Sequence, residues 1–144
     1  MGMVKVQSSK FKIQKRKGLA AVEFALVALP LLLLTIGLVD YGFIFLKAQQ
    51  LTQAARAGAR VAAVVDSTNA KVNALIDALL TDAGIAPNKV SRVITPSDVS
   101  VVKPGIAIKV VLTVHTDQLA LINTNLVPMP AELTAAASMA KEGT

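Results

Sequence analysis

The first part of the chain shows a polar stretch followed by an apolar run of membrane length. From Leu19 to Val39 the 21 residues contain one charged side chain, Glu23. A helix rises about 1.5 Å per residue, so this run reaches roughly 30 Å, close to the hydrocarbon thickness of a bilayer. The pattern predicts one membrane-spanning helix over residues 19–40. The alternative is a buried core helix of a soluble protein.

The following segment, residues 41–65, keeps a helical period and contains no proline. A polar stripe and a stripe of apolar and small residues run along it. The polar stripe is Gln49, Gln53, Arg56 and Arg60, and the other is Ile44, Ala48, Leu51, Ala55 and Ala62. We therefore expect the membrane helix to continue to about residue 64 as a stalk, packed on the soluble head or on neighbouring subunits. Pro30, inside this helix, predicts a kink.

Residues 66–144 predict a small α+β head, with one amphipathic helix on a short antiparallel sheet. Apolar residues at helical spacing run from Val72 to Ala83, after cap candidates at residues 67–69 and before a stop at Gly84 and Pro87. Alternation predicts strands over residues 99–103 and 106–115, joined in a hairpin by a type II turn at Pro104-Gly105. Residues 117–126 are expected to form a short helix or an ordered loop. The ambiguous segment "ELTAAASMAKE" is assigned as a third strand.

Charge is concentrated at the N-terminal end. Of 15 lysines and arginines, six precede Gly18, where there is no acidic residue, and nine of each sign follow it. A basic arm before an apolar run favours a cytoplasmic N-terminus, with everything after Asp40 across the membrane. The rest of the chain has no basic patch with interleaved aromatic residues, so we expect membrane lipids and not nucleic acid as a partner.

Residues suited to catalysis or metal binding are sparse. The sequence has no cysteine and one histidine, His115, which excludes disulfides and thiolate metal sites. No serine–histidine–aspartate set, phosphate loop or metal-ligand spacing surrounds His115, which the predicted strand places on a polar face. Asp77 and Asp82 are expected to be solvated, and Asp98 and Asp117 to lie in turns. We expect neither enzymatic activity nor a cofactor or metal.

Glu23 is unexpected in an otherwise apolar membrane helix. Such a carboxylate must reach water, bind a proton or meet a cation, since Asp, Lys or Arg at mid-membrane costs about 2.5 to 3.5 kcal/mol. If the chain were cut after Gly18, the new ammonium of Leu19 would lie about one helical turn from Glu23. A conventional signal peptide is disfavoured. Its apolar region spans roughly 7 to 15 residues, and the first Ala-x-Ala-like site here, near Ala57 and Ala59, lies well past the apolar run.

Two stretches carry a family resemblance, "AAVEFALVALPLLLLTIGLVDYG" and "QQLTQAARAGARVAA". They contain, in order, a Val-Glu-Phe core, a Leu-Pro-Leu run and an Ala-Arg-x-Gly-Ala-Arg segment. In these features the chain resembles the TadE-like family, the minor pilins or pseudopilins of tight-adherence (Tad, Flp) type IV pilus systems. The resemblance is strong over residues 16–64. One departure is Phe43, where many relatives carry arginine after an Asp/Glu-x-Gly step.

The resemblance implies a basic leader over residues 1–18 and a processing site formed by Gly18, Leu19 and Glu23. A prepilin peptidase would cut after Gly18, which makes Glu23 the fifth mature residue. Glu23, Phe24 and Pro30 would serve in the membrane and in assembly.

The resemblance also implies partners and a location. Arg56, Gly58 and Arg60 are candidate partner-binding residues, with a solvated helical face as the alternative reading of the arginines. The implied partners are other major and minor pilins and the pilus assembly platform. The implied location is the bacterial inner membrane, with the head periplasmic or extracytoplasmic and the subunit able to enter a pilus used in adhesion or secretion. An uncleaved, membrane-anchored binding module facing the cell envelope is the alternative.

Overall fold

The computed structural model describes Gly2, residues 16–119 and residues 129–143. Its elements are helix α1 (Arg16–Ala63), helix α2 (Asn69–Asp82) and strands β1 (Val90–Thr95), β2 (Ala107–His115) and β3 (Glu132–Ala140). This is the predicted α+β class with a long N-terminal helix. The chain divides into two compact units, Met1–Leu38 and Val39–Thr144. The expected leader up to residue 15, apart from Gly2, and residues 120–126 of the expected helix or loop lie outside the described residues.

The first unit exposes apolar side chains along the described part of α1. These are Leu19, Val22, Phe24, Leu26, Val27, Leu29, Leu31, Leu32, Leu33, Leu34 and Leu38. Such a surface is unfavourable in water and favourable in hydrocarbon. In the part of the chain that the structure describes, α1 is the one helix long and apolar enough to cross a membrane, and an 18-residue stretch of it has a mean hydropathy of 2.4. It indicates a single-pass membrane protein.

Pro30 lies inside α1, and the helix continues past it to Ala63. Proline has no N–H, so the carbonyl of Leu26 receives no bond from position 30. The expected kink at Pro30 stays a prediction. The expected end of the helix near residue 64 is confirmed.

In the second unit, the end of α1 packs into the core of the head, which is one of the two arrangements that the sequence left open. The small side chains of α1 allow the neighbouring elements to come close. The buried cluster joins Leu51, Ala54, Ala55, Ala59 and Ala62 of α1, Val72, Ile76 and Leu80 of α2, and Ile108, Val110, Leu112 and Val114 of β2. The second unit therefore has one core to which both helices and the sheet contribute.

The sheet is antiparallel, in the order β1-β2-β3. Val90 pairs with Val114 between β1 and β2, and Ala107 pairs with Ala140 between β2 and β3. Along β2 every second side chain is buried, from Ile108 to Val114, which is the predicted alternation. The prediction of a third strand in the C-terminal segment is confirmed by β3.

The predicted strand over residues 99–103 is wrong. Val99 is fully buried, but its N–H donates to the side chain of Asn69 instead of a sheet partner. Ser100 donates both its N–H and its hydroxyl to Asp98, which makes a local turn. These side chain–backbone bonds replace a strand ladder. The first strand of the sheet is β1, which the sequence pattern did not predict.

The predicted type II turn at Pro104-Gly105 is confirmed. The N–H of Ile106 donates to the carbonyl of Lys103 over 3.2 Å, and Gly105 has a φ of +85°. A positive φ at the third position of this turn requires glycine or asparagine. The turn leads into β2 but does not close the expected hairpin. The start of β2 pairs with the end of β3 and not with residues 99–103.

The predicted amphipathic helix is confirmed as α2. Thr68 is its N-cap and accepts a hydrogen bond from the N–H of Lys71. After its end, Gly84 has a φ of +65° and its N–H donates to the carbonyl of Thr81. Glycine at this position ends a helix at little steric cost.

Two buried lysines bind the C-terminal carbonyls of the helices. Lys47 donates to the carbonyl of Ala83, next to the last residue of α2. Lys141, after β3, donates to the carbonyls of Ala62 and Val64 over 3.3 and 2.8 Å. A cation at a helix C-terminus is favourable because the carbonyls there lack helical partners and carry the negative end of the dipole. Lys141 therefore ties the sheet to the end of α1.

Lys141→Met is expected to lower the free energy of unfolding of the head by about 2 kcal/mol, because hydrogen bonds from a charged donor are lost and the carbonyls stay buried. Pulse proteolysis of the full chain in detergent across a urea series measures this change. Lys109→Met, at an exposed position of β2, is the matched control and should have little effect. Equal unfolding midpoints for the two variants would contradict the role given to Lys141.

Candidate functional site

The expected cleavage position lies within helix α1. The described helix covers Arg16–Ala63, so the bond between Gly18 and Leu19 is helical. Leu19 is exposed, and a Cβ atom added to Gly18 would meet nothing within 4 Å. The packing of the described residues therefore does not demand glycine at position 18. A requirement for glycine here would have to come from a molecule that binds this segment.

Glu23 lies four residues after Leu19, so the two side chains lie on the same side of α1 about one turn apart. The side chain of Glu23 is exposed. Among the described residues it has no hydrogen-bond or ion-pair partner. It is thus an ionisable group without a partner among the described residues, on an otherwise apolar stretch of helix.

Phe24 and Pro30 also lie on exposed positions of α1, and Phe24 is 75% exposed. Phe24 follows Glu23 directly, so its ring points about 100° away around the helix. The carboxylate therefore has a large apolar neighbour on the helix surface. A partner helix bound to this surface would meet both groups.

Arg56, Gly58 and Arg60 belong to the second unit and lie in two different environments. Both arginines are exposed, and Arg56 lines a shallow hollow of about 350 Å³ with Phe45, Ala48, Gln49, Thr52 and Gln53. Gly58 is buried, and a Cβ atom there would lie 2.7 Å from Cδ1 and 2.9 Å from Cγ1 of Ile76. In this segment the small residues face the core and the arginines face outward.

Comparison with protein-family models gives a match over residues 18–60 to a family described as TadE-like protein. This segment is TadE-like. The resemblance carried by the sequence motifs is thereby confirmed. It indicates a protein associated with the Tad pilus and with its other components. Comparisons with curated proteins and with solved structures gave no match.

Within the TadE-like segment, Gly58 allows α1 and α2 to come into close contact. Gly58→Val is expected to destabilise the head by about 2 kcal/mol, because added methyl groups must displace Ile76 from a closed core. The same proteolysis measurement tests this. Gly42→Val is the control, since a Cβ atom at Gly42 meets nothing within 4 Å.

The close contact with Ile76 can be tested separately. Adding Ile76→Ala to Gly58→Val makes room for the new methyl groups, so the double variant should lose less stability than the sum of the two single losses. Strict additivity would show that Gly58 and Ile76 are not coupled.

Asp40 directly follows the apolar run, and its environment was not predicted from the sequence pattern. It is completely buried, and neither carboxylate oxygen has a hydrogen-bond partner among the described residues. Burial of a polar group without a partner is costly. The signal in the sequence was its position on the same face of α1 as Ile44 and Lys47, which are also buried.

Several other ionisable groups of the head have structural partners. Asp77 was expected to be solvated, and its side chain is 47% exposed; it also binds Arg92 of β1, which donates to Asn73. His115 lies 3.6 Å from Glu132 across the sheet, and both side chains are exposed. In the turn after β1, hydrogen bonds from Ser100 lower the pKa of Asp98 below its ordinary value. Across residues 16–119 and 129–143, no three histidine or acidic side chains lie close enough together to hold a metal ion.

Proposed function

We propose that this protein is a structural minor pilin or pseudopilin of a tight-adherence type IV pilus. The observation that carries the proposal is Glu23, an exposed carboxylate on an apolar helix, one turn after the position at which cleavage would create an ammonium. The position of Glu23 inside a TadE-like match supports the same role. The role is structural, and we propose no catalytic activity.

The proposed path begins with insertion into the bacterial inner membrane. The six basic residues before Gly18 stay in the cytoplasm, and the head lies on the periplasmic or extracytoplasmic side. A prepilin peptidase then hydrolyses the bond between Gly18 and Leu19. The mature subunit, held by α1, is available to a pilus or its initiation complex.

In the proposed assembly, Glu23 of one subunit meets the Leu19 ammonium of the same chain or of a neighbour. The exposed apolar surface of α1, with Phe24 and Pro30, packs against other pilins. Arg56 and Arg60 offer a polar face to partners or to the assembly platform. Registry between subunits follows from the ion pair, because a carboxylate buried without a cation is strongly disfavoured.

The test is the mass and N-terminal sequence of the full-length protein, made with and without its prepilin peptidase. The expected product beside the peptidase begins at Leu19, and without the peptidase the leader stays attached. Full-length protein beside an active peptidase would contradict the proposal and favour the uncleaved, membrane-anchored binding module.

The orientation predicts a second result. A reporter that is active only outside the cytoplasm, fused after Thr144, is expected to be active because the basic residues of the leader keep the N-terminus in the cytoplasm. The same fusion with a reporter that works only in the cytoplasm is the control and should be inactive. The reverse pattern would show that the proposed orientation is wrong.

A further inference from the structure

Strand β3 forms one edge of the sheet, and half of its backbone polar groups point away from β2. The carbonyl of Ala131 and the N–H of Lys141, just outside the strand, bond toward β2. Because successive residues point in opposite directions, the N–H and C=O groups of Thr134, Ala136 and Ser138 point outward. These groups have no hydrogen-bond partner among the described residues.

Within residues 16–119 and 129–143, this edge lacks the usual protection against pairing. Edge strands are normally kept apart by lysine, proline, a bulge or short length. β3 has nine residues in an unbroken register, with no proline or lysine and one charged residue, Glu132, at its start. The other edge, β1, has six residues, carries Arg92 and is followed by Pro96. In the described part of the chain, the unprotected edge is therefore β3.

The sequence of β3 is complementary to itself when two copies run antiparallel about Ala136. Thr134 then lies opposite Ser138, so two small hydroxyl side chains meet. Leu133 lies opposite Met139, which pairs two apolar side chains that are partly buried in each copy. Glu132 lies opposite Ala140, so no like charges face each other.

We infer that β3 pairs with β3 of a second copy of this chain, with a two-fold axis at Ala136. The two Ala136 residues exchange both backbone hydrogen bonds, and the same pattern repeats at Thr134 and Ser138. Odd-numbered residues of β3 lie opposite odd-numbered residues, and even-numbered opposite even-numbered. The core-facing sides of the two sheets therefore stay on the same side of the joined sheet. The result is a six-stranded sheet with an isologous interface. This pairing goes beyond the proposed function and needs neither cleavage nor another pilin.

Cysteine cross-linking tests the pairing and its register, because the chain has no cysteine of its own. Two differently tagged full-length copies, one with Thr134→Cys and one with Ser138→Cys, are produced in membranes of a host without other pilus proteins. Opposite residues of a hydrogen-bonded pair have Cα atoms about 5.5 Å apart, within the range of a disulfide. We expect the mixture to give at least roughly tenfold more disulfide dimer than either variant alone, because identical positions lie about 13 Å apart along the strands.

The matched control is the pair Ser91→Cys and Thr95→Cys. These residues have the same spacing and are exposed on β1, the other edge. The β1 pair should give only the background of random collisions. Cross-linking of the β3 mixture at the level of the β1 pair, or equally strong cross-linking of each β3 variant alone, would overturn the inference. So would cross-linking that appears only to another protein when the other pilins are present.

A charge exchange at the axis gives an independent readout. Ala136 is exposed, so substitution there does not enter the core. Ala136→Lys and Ala136→Glu each place like charges opposite one another, and each alone should lose co-purification of the two tags. A mixture of the two variants should restore it. Co-purification that is unaffected by either single variant would contradict pairing at this edge.

Discussion

Gly18→Val is expected to leave the protein uncleaved, with near-complete loss of the mature form beside an active prepilin peptidase. The substituted chain should still fold and insert, because a Cβ atom at position 18 meets nothing within 4 Å. Valine has a somewhat better helix propensity than glycine, so α1 is not weakened. A loss of cleavage would therefore show that the peptidase does not accept valine at position 18, and it would not be explained by misfolding of the substrate.

Gly42→Val is the matched control for this experiment. Gly42 is another open position of α1, well beyond the proposed cleavage bond, so this variant should be processed like the wild type. Intact mass of both proteins, isolated from the same membranes, distinguishes the two results. Mature protein of normal length from Gly18→Val would refute the assigned processing site.

The parts of the fold that follow from local pattern were predictable. The helix α2 could be predicted because its cap, its apolar period and the glycine after it are all neighbours in sequence. The continuous α1 was predictable because its apolar run and the helical period after it are also adjacent in sequence. For β2 the alternation is strict, and its buried and exposed positions are those expected.

The first strand was not predictable in this way because two segments compete. Residues 90–95 and residues 99–103 are both short and mix β-branched apolar residues with polar ones, and periodicity alone does not choose between them. The choice is made by tertiary bonds, in which Asn69 holds Val99 and Arg92 of β1 binds Asp77. Neither bond joins residues that are close in sequence.

The residues of the candidate site also fall into two groups, those recognisable from sequence spacing and those whose role depends on the tertiary structure. Gly18, Leu19 and Glu23 could be recognised in the sequence, since their proposed chemistry depends on spacing along one helix. The contact of Gly58 with Ile76 depends on where α2 lies. The burial of Asp40 depends on the folding of the second unit. Residues of this second kind become visible only when the elements are assembled.

Glu23→Gln is expected to give a protein that is inserted and largely cleaved but poorly incorporated with its partner pilins. Glutamine keeps the shape and removes the charge. The change should not disturb the fold, because Glu23 is exposed and has no partner among the described residues. Glu142→Gln is a matched control, since it removes an exposed carboxylate from the head, and it should assemble normally.

The order of events explains why the loss should fall on assembly. The ammonium of Leu19 exists only after the leader is removed, so Glu23 has no N-terminal partner during cleavage. When subunits pack and exclude water, the charge pair becomes strong and an unpaired member becomes costly. The competing hypothesis is that Glu23 serves only in recognition by the peptidase, which predicts uncleaved Glu23→Gln protein. Co-purification of the cleaved variant with its partner pilins decides between them, since association at the wild-type level would leave Glu23 without a role in assembly.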